Sequence, residues 1–371
     1  VFLFINGIGK EYIVKATIKT KELKNALVLH KHNCRKNTVC ILDGVKLKAN
    51  NSSLEIVSTN LEQSLKTKLE SEVSKDGEAI VPFKVISNTL NYCDTNYVDI
   101  ELTDKNELKV DKLKINCLDL KDYPEFPVFK DGITLKKLDF GSFVSSINKI
   151  KDFYSTDEAR IILTGILFDT TNNCLVATDS YKLGISKYYF GRDVGKFVIP
   201  NQVYNILKDI YKCSKDDKFT MLIEDNQVCF VVSNNVLFSR IISGKFPEYE
   251  QLIPASYNYR CNINSKELIR ILDKSRKVIN GPIPVKLKFN STTIDITKTC
   301  KEIGVYEDKA NISSVVNNIG ENVEMGFNGD FLRDCISNFD NVNVSIQDKQ
   351  KPLVFNNDDE YKTILMPIRI S

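Results

Sequence analysis

The chain repeats itself at a spacing of about 120 residues, and this limits its folds more than any other feature does. Asp122-Tyr123-Pro124-Glu125-Phe126 returns as Lys245-Phe246-Pro247-Glu248-Tyr249. Gly44-Val45-Lys46-Leu47, followed by a polar turn and a strand ending in Ser58-Thr59-Asn60, returns as Gly165-Ile166-Leu167-Phe168, then Asn172-Asn173 and Ala177-Thr178-Asp179. Ile80-Val81-Pro82 and Val198-Ile199-Pro200 each open a helical pattern, and Gly326-Phe327-Asn328 takes the same part near the end. Thr20-Lys21-Glu22-Leu23, Phe140-Gly141-Ser142-Phe143 and Asn264-Ser265-Lys266-Glu267-Leu268 each lead from an alternating strand into an amphipathic helix. Collinear matches of this kind point to three similar domains.

Each third follows one plan. An alternating strand comes first, then a helix of about ten to fourteen residues, then strands parted by Asn, Asp, Ser and Gly turns. A second helix follows, opened by Pro or Gly, and further strands close the unit. Pro82 and Pro200 suit the first turn of a helix, where a missing N–H costs nothing. The expected fold is α+β: three similar domains, each with two helices packed on antiparallel sheets. Boundaries are expected near Gly132 and near Ser256–Asn258, giving domains 1–132, 133–258 and 259–371. Residues 1–11 read as an extension ahead of the first repeat.

The bulk numbers exclude several classes. At 371 residues, with 42% apolar and 27% charged side chains, the chain has an ordinary globular composition and material for several cores. Its 51 basic and 48 acidic residues leave a net charge of +3, so any nucleic-acid binding must come from local arrangement. Ten cysteines are scattered without a C-x-x-C pair, and they read as small buried apolar residues in a reducing compartment. The apolar start, Val1 to Ile5, is too short for a signal-peptide core, and no apolar run approaches the roughly 20 residues that span a bilayer. A cytoplasmic protein without membrane attachment is expected.

Helix faces can be computed from a turn of about 100° per residue. Over Ser265–Val278, Lys266, Arg270, Lys274 and Lys277 fall in one narrow stripe, with Leu268, Ile271, Leu272 and Val278 opposite. Over Asn201–Cys213, Val203, Leu207, Ile210 and Tyr211 share a face, and Lys208 and Lys212 project away from it. After Lys21, Leu23, Ala26 and Leu27 face inward while Lys21 and Lys24 are exposed. Lysines on a helix are ordinarily just solvated. Here the cationic side recurs in corresponding helices of different repeats, which suits an extended positive track. Lysine–phosphate contacts are indifferent to base sequence and therefore fit a partner that slides.

No catalytic signature is present. The two histidines, His30 and His32, sit in no triad-like or H-E-x-x-H context, and no phosphate-binding glycine loop occurs. His30-Lys31-His32-Asn33-Cys34 offers metal-ligand types, but ligands that alternate without a second pair elsewhere are a weak pattern. A helix end running into a polar loop is the preferred reading. No enzyme activity, metal or cofactor is expected.

Three longer stretches bring in a family. Val176-Ala177-Thr178-Asp179-Ser180-Tyr181-Lys182-Leu183 resembles the V-A-T-D-G-H-R-L stretch of the bacterial DNA polymerase III beta subunits, the sliding clamps. Gly244-Lys245-Phe246-Pro247-Glu248-Tyr249, ending in Leu252-Ile253-Pro254, is similar to that family's G-R-F-P-D-Y…L-P. Met366-Pro367-Ile368-Arg369-Ile370 looks like its M-P-M-R-L terminus, and Arg160 to Gly165 and Met325 to Asn328 also fit. The matches run collinearly from about Tyr12 to Ile370.

The resemblance implies a head-to-tail homodimeric ring of six domains, with helices lining a hole that holds duplex DNA. Lys36 occupies a place where an arginine can reach DNA, and two aromatic residues that touch DNA in a well-studied member correspond to Ile161 and Ile162. The family also captures short peptides of the replicative polymerase, the clamp loader and repair proteins in an apolar cleft. By matched position that cleft is lined by Leu163, Thr178, Ser180, Tyr181, Lys182, Leu183, Pro247 and Leu252. Asn328, Phe331, Met366, Pro367, Ile368, Arg369 and Ile370 complete it. Tyr181-Lys182 replaces the family's His-Arg, which removes a forked guanidinium. Ring closure in the family pairs an edge strand of the first domain with the third domain of the other chain. Leu113, Ile115 and Cys117 alternate as such a strand, with Val278 and Ile279 as partners. The competing reading is a β-rich peptide-binding scaffold, or a clamp paralogue, that does not encircle DNA.

Overall fold

A computed structural model describes residues 12–35, 37, 39–130, 132–214, 216–317 and 323–369. Six α-helices are described: α1 (Thr20–His30), α2 (Phe83–Asn91), α3 (Phe140–Ile150), α4 (Gln202–Cys213), α5 (Ser265–Val278) and α6 (Gly329–Ile336). They fall two to each repeat, and every strand pairing among the described residues is antiparallel. The α+β plan and the repeated order of elements agree with the sequence reading.

The chain forms two compact units whose division does not follow the repeats: 1–144 with 202–241, and 145–201 with 242–371. Backbone pairing supplies the reason. In the first unit, strand Asn235–Arg240 of the middle repeat pairs with Gln63–Glu70 of the first, with Leu237 opposite Leu65. That ladder joins two repeats into one eight-stranded sheet, and a five-stranded sheet lies in the same unit. In the second unit, Lys182–Lys187 of the middle repeat pairs with Tyr361–Leu365 of the third, Gly184 opposite Thr363, within a twelve-stranded sheet.

Local chemistry starts the helices. Asn264 Oδ1 accepts the Glu267 N–H at 2.9 Å ahead of α5, and Asn328 Oδ1 accepts the N–H groups of Asp330 and Phe331 ahead of α6. The prolines act one step earlier than expected. Pro82 is the last residue of strand Gly77–Pro82 and precedes α2, while Pro200 ends strand Lys196–Pro200 two residues before α4. Both strands lie at the outer edge of their sheets, where the missing N–H leaves no ladder bond unmade.

Two face assignments need correction. On α4, Tyr204 and Ile206 are buried with Val203, Leu207 and Ile210, whereas Tyr211 is exposed at its edge and meets the Phe140 ring edge-on. On α5 the buried face is Leu268, Ile271, Leu272 and Ser275. Val278, in the last turn, is 56% exposed. Six cysteines are buried as expected (34, 93, 174, 229, 261 and 335), but Cys40 and Cys213 reach the surface.

The segment expected to run into a polar loop is also different. His30 ends α1 fully buried, with Nδ1 2.7 Å from Ser58 Oγ and Nε2 3.1 Å from Thr67 Oγ1. Thr67 donates its hydroxyl proton to Asn235 Oδ1 at 2.8 Å. Its oxygen therefore accepts from His30, which must carry its proton on Nε2 and accept from Ser58 on Nδ1. Asn33 then donates to Ser58 Oγ at 3.0 Å, and both Asn33 and Cys34 are buried. The His-Lys-His-Asn-Cys run thus ties a helix end to two strands.

Burial lowers the His30 pKa to about 3. The unfolded chain, with its ordinary imidazole, binds this proton from about pH 6.5 downward while the folded chain refuses it until about pH 3. Stability is therefore lost as pH falls through that window. His30→Gln should remove about 2 kcal/mol of the stability difference between pH 7 and pH 5, measured as urea midpoints at both pH values. An unchanged difference would contradict the neutral buried imidazole.

Candidate functional site

The cation stripe on α5 forms as the periodicity requires. Lys266, Arg270, Lys274 and Lys277 are all exposed along one face, and a shallow groove runs among them beside Ile269 and Asp273. Lys266 meets Asp340 at 2.8 Å in a fully solvated pair. Arg270, Lys274 and Lys277 have no ion-pair partner among the described residues. Asp273, which could have neutralised them, is held by Arg333 Nε at 3.1 Å. Asp308, held below the ordinary carboxylate range by the Lys309 N–H, also feels Lys274 and Arg270, so the face is cationic without being free of carboxylates; a face of this kind can attract phosphates.

The cations of α4 behave otherwise. Lys208 lies over the Tyr204 ring, 5.8 Å from its centre, and Lys212 pairs with Asp209 at 3.2 Å. Asp209 also receives Lys31 at 2.9 Å and His32 Nε2 at 2.8 Å. Burial opposes its ionisation, but the hydrogen bonds from His32, Lys31 and Lys212 prevail and hold the carboxyl well below the ordinary range. The sequence pattern could not reveal that α1 packs on α4 and shares this carboxylate. Lys36 lies outside the described residues.

The residues expected to line a cleft divide into two groups. Leu163 and Leu183 are buried in one apolar cluster with Phe246 and Tyr249, against which Ile162 and Ile253 pack half-buried. Pro247 and Leu252 lie on the surface nearby in sequence, and Ile161 is exposed. The second group gathers around a tight turn. Asp179 Oδ1 accepts the N–H groups of Tyr181 and Lys182 at 2.8 Å each, Thr178 Oγ1 accepts that of Ser180, and Ser180 takes a φ of +80°. Arg160 Nη1 donates to Ser180 Oγ at 2.8 Å.

That turn sends two neighbouring side chains in opposite directions. Tyr181 is 58% exposed and stacks on Phe331, with ring centres 5.9 Å apart. Lys182 is only 7% exposed; its ammonium bonds the Asp152 carbonyl at 2.6 Å and the Asp334 carboxylate, and it lies between the Phe153 and Phe331 rings. Lys182 is thus an internal tie rather than an open lining residue. The C-terminal segment is pinned on both sides: Met366 N–H donates to the Tyr181 carbonyl at 2.9 Å and Ile368 N–H to that of Gly326 at 2.8 Å. Met366 and Pro367 are half-buried, whereas Ile368 and Arg369 are exposed. Asn328 caps α6. Ile370 lies outside the described residues. Asp152, Phe153 and Asp334 are the partners that sequence reasoning missed, since nothing in their spacing links them to Lys182.

The four interface candidates separate by burial. Leu113, 42% exposed, is on the outermost strand of the five-stranded sheet, and Val278 is exposed at the end of α5. Ile115 and Ile279 are buried within their own units and cannot meet a partner without rearrangement. Exposed Ile303, in the hairpin turn between Thr293–Cys300 and Gly304–Asn317, and Val305, near the start of the latter strand, were not anticipated. Among the described residues there is no cluster of three or more metal-ligating side chains, and no helix is long and apolar enough to cross a membrane.

Comparison with known proteins bears on this arrangement. Three models of one family match in sequence order: the N-terminal domain of the DNA polymerase III beta subunit over residues 14–127, its central domain over 137–248 and its C-terminal domain over 250–369. The chain belongs to the DNA polymerase III beta subunit family. Relatives similar to this beta subunit include the beta sliding clamps of Staphylococcus epidermidis, 23% identical over 97% of this chain and 99% of that one, and of Mycoplasma capricolum, 23% identical over 91% and 94%. Among solved structures, the DNA polymerase III beta subunit of Thermotoga maritima superposes with a TM-score of 0.89 at 20% identity, and the sliding clamp of Bacillus subtilis with 0.87 at 20%. Each match covers 96% of this chain and 100% of the other.

The Lys182 tie gives this beta subunit a measurable liability. Removing one member of a buried, hydrogen-bonded ion pair leaves the other charge desolvated. Asp334→Ala should cost about 3 kcal/mol in urea unfolding, with Lys182→Met in the same background restoring part of it. A loss below about 0.5 kcal/mol would show that the ammonium is solvated.

Proposed function

We propose that this protein is a sliding clamp. Two copies close head to tail into a ring around duplex DNA, and each contributes three modules divided near residues 132 and 258. The ring holds DNA by enclosure and carries out no reaction. Its relatives bear the name beta sliding clamp across nearly their whole lengths, which supports the clamp over a scaffold that does not encircle DNA.

The observation that carries this reading is the row of exposed cations on α5, three of them without a carboxylate in direct ion-pair contact among the described residues. A sliding contact must be favourable at every base pair and strong at none. Unpaired lysines and arginines touching phosphates satisfy this, because the contact reads no sequence and exchanges counterions at each step. On α4, Lys212 shares Asp209 and Lys208 lies over a tyrosine ring, so these two contribute less.

Polymerase, clamp-loader and repair peptides dock around the Tyr181–Phe331 stack and the pinned Met366–Arg369 segment. Exposed Tyr181, stacked on half-buried Phe331 beside a hydrogen-bonded segment, provides apolar area to a short peptide. With Lys182 turned inward, this surface has no forked cation at that position, so it favours apolar and aromatic anchors over an acidic one.

Two measurements check these assignments. Alanine at Lys266, Arg270, Lys274 and Lys277 together should cut retention on nicked circular DNA at least tenfold at moderate salt and flatten its salt dependence, while the thermal midpoint and peptide affinity stay unchanged; equal retention would remove α5 from the DNA track. Tyr181→Ala should weaken binding of a polymerase C-terminal peptide by at least tenfold in fluorescence anisotropy, with DNA retention unaffected. Full peptide affinity in that variant would move the docking site elsewhere.

A further inference from the structure

Where α1 meets α4, one carboxylate stands among cations. On a turn of about 100° per residue, Gln202, Asn205, Asp209 and Lys212 fall in one stripe of α4. Gln202, Asn205 and Lys212 are exposed. The Asp209 side chain is only 16% exposed, and it accepts from Lys31 at 2.9 Å, His32 Nε2 at 2.8 Å and Lys212 at 3.2 Å. Burial, the largest influence, lowers the His32 pKa, and the hydrogen bond to Asp209 offsets this only in part. At neutral pH the imidazole is therefore uncharged, and Asp209 answers the full charges of Lys31 and Lys212.

A tie between repeats explains only part of this cluster. Lys31 and His32 follow α1 in the first repeat, and their bonds to Asp209 fasten it to α4 in the second, within one compact unit. The Lys212 bond fastens no two elements. It links residues three apart on one helix, its lysine side chain is still 61% exposed, and a pair of that kind adds little to stability. Its consequence is electrical: a negative charge sits beside a cation that otherwise faces solvent.

The row on α5 is arranged the other way. Asp273 lies in the stripe of Lys266, Arg270, Lys274 and Lys277, yet Arg333 of α6 takes it at 3.1 Å. Arg270, Lys274 and Lys277 thereby keep no carboxylate in direct ion-pair contact among the described residues. One row has its carboxylate drawn off by a neighbouring helix; the other has it turned on its own cations. A carboxylate oxygen offers an ammonium the same charge-assisted bond that a phosphate oxygen does, so each lysine held by Asp209 is withdrawn from DNA.

We propose that Asp209 is an internal stand-in for a DNA phosphate: by occupying Lys31 and Lys212 it keeps the α1–α4 face a weaker contact than α5, and so limits how firmly the ring grips the duplex it slides on. The inference rests on the ring reading and adds to it a residue that sets the strength of the contact. An ammonium handed from carboxylate to phosphate and back is paired at both ends of the exchange, while the His32 N–H keeps Asp209 bonded.

The experiment compares the full wild-type chain with Asp209→Asn, which keeps the side chain's shape and an oxygen for the His32 N–H. Affinity for a short linear duplex is read by fluorescence anisotropy across a salt series, and the thermal midpoint is taken on the same samples. Asp209→Asn should bind at least threefold more tightly at moderate salt. Its log–log salt slope should steepen by about one to two units, since each freed cation that meets a phosphate adds about 0.9. Adding Lys212→Ala should take back about one unit of that gain. An affinity and slope equal to those of wild type would overturn the inference, and a lower thermal midpoint without either change would assign Asp209 to the tie alone. Tighter binding that Lys212→Ala leaves intact would also overturn it, because the gain would then come from net charge and not from the freed lysine. The ring is read separately. Wild type released as fast from nicked circles as from linear DNA would overturn the ring reading and this inference with it; wild type retained on circles with an unresponsive Asp209→Asn would overturn this inference alone. If Asp209→Asn does not fold, the smaller Asp209→Ser decides by the same criteria.

Discussion

The main-chain ladder between repeats is the constraint on which the rest depends. Asn235–Arg240 continues the sheet of Gln63–Glu70, and Lys182–Lys187 continues that of Tyr361–Leu365. Backbone N–H and C=O groups at a sheet edge must be paired or solvated, and an edge left open invites unwanted partners. Here the edge of one repeat is closed by the next. Slipping either ladder by one residue would move every side chain to the wrong face. The joint therefore fixes register, and through register the side chains that reach the surface. The Lys182–Leu365 pairing places the Tyr181 turn beside Met366, so the surface around that turn is a by-product of the joint.

Much of this was legible from the sequence. The 120-residue repeat gave the number of modules, and the 100° helix period gave the α5 stripe, because both depend on local spacing alone. The buried positions Leu268, Ile271 and Leu272 followed from the same arithmetic. What escaped was decided by partners distant in sequence. Val278 has the right angle but extends past the layer it would pack on, and Tyr211 lies at the rim of its face. Lys208 and Lys212 looked equivalent to the α5 cations until the packing of α1 on α4 brought Lys31 and His32 to the same Asp209.

The clearest lesson of the candidate site is Lys182. Motif resemblance implies that it lines a cleft, and it directly follows the turn at Asp179–Tyr181. The turn at Asp179 sends it the opposite way from Tyr181, into contact with Asp152 and Asp334. His30 is of a metal-ligand type, yet its neighbours Ser58 and Thr67 occupy both ring nitrogens. In both cases the side chain's hydrogen-bonding capacity is spent inside the fold, which spacing cannot disclose.

A ring that holds DNA by enclosure differs from any scaffold that holds it by affinity in one respect: its grip depends on the DNA having no free end. The most direct measurement loads the protein onto closed circular duplex, removes free protein, and follows what remains bound before and after a single restriction cut, at a salt concentration that screens phosphate contacts. The account predicts retention for many minutes on the circle and release within seconds to minutes once the DNA is linear. Equal retention on both forms, or none on the circle, would contradict it.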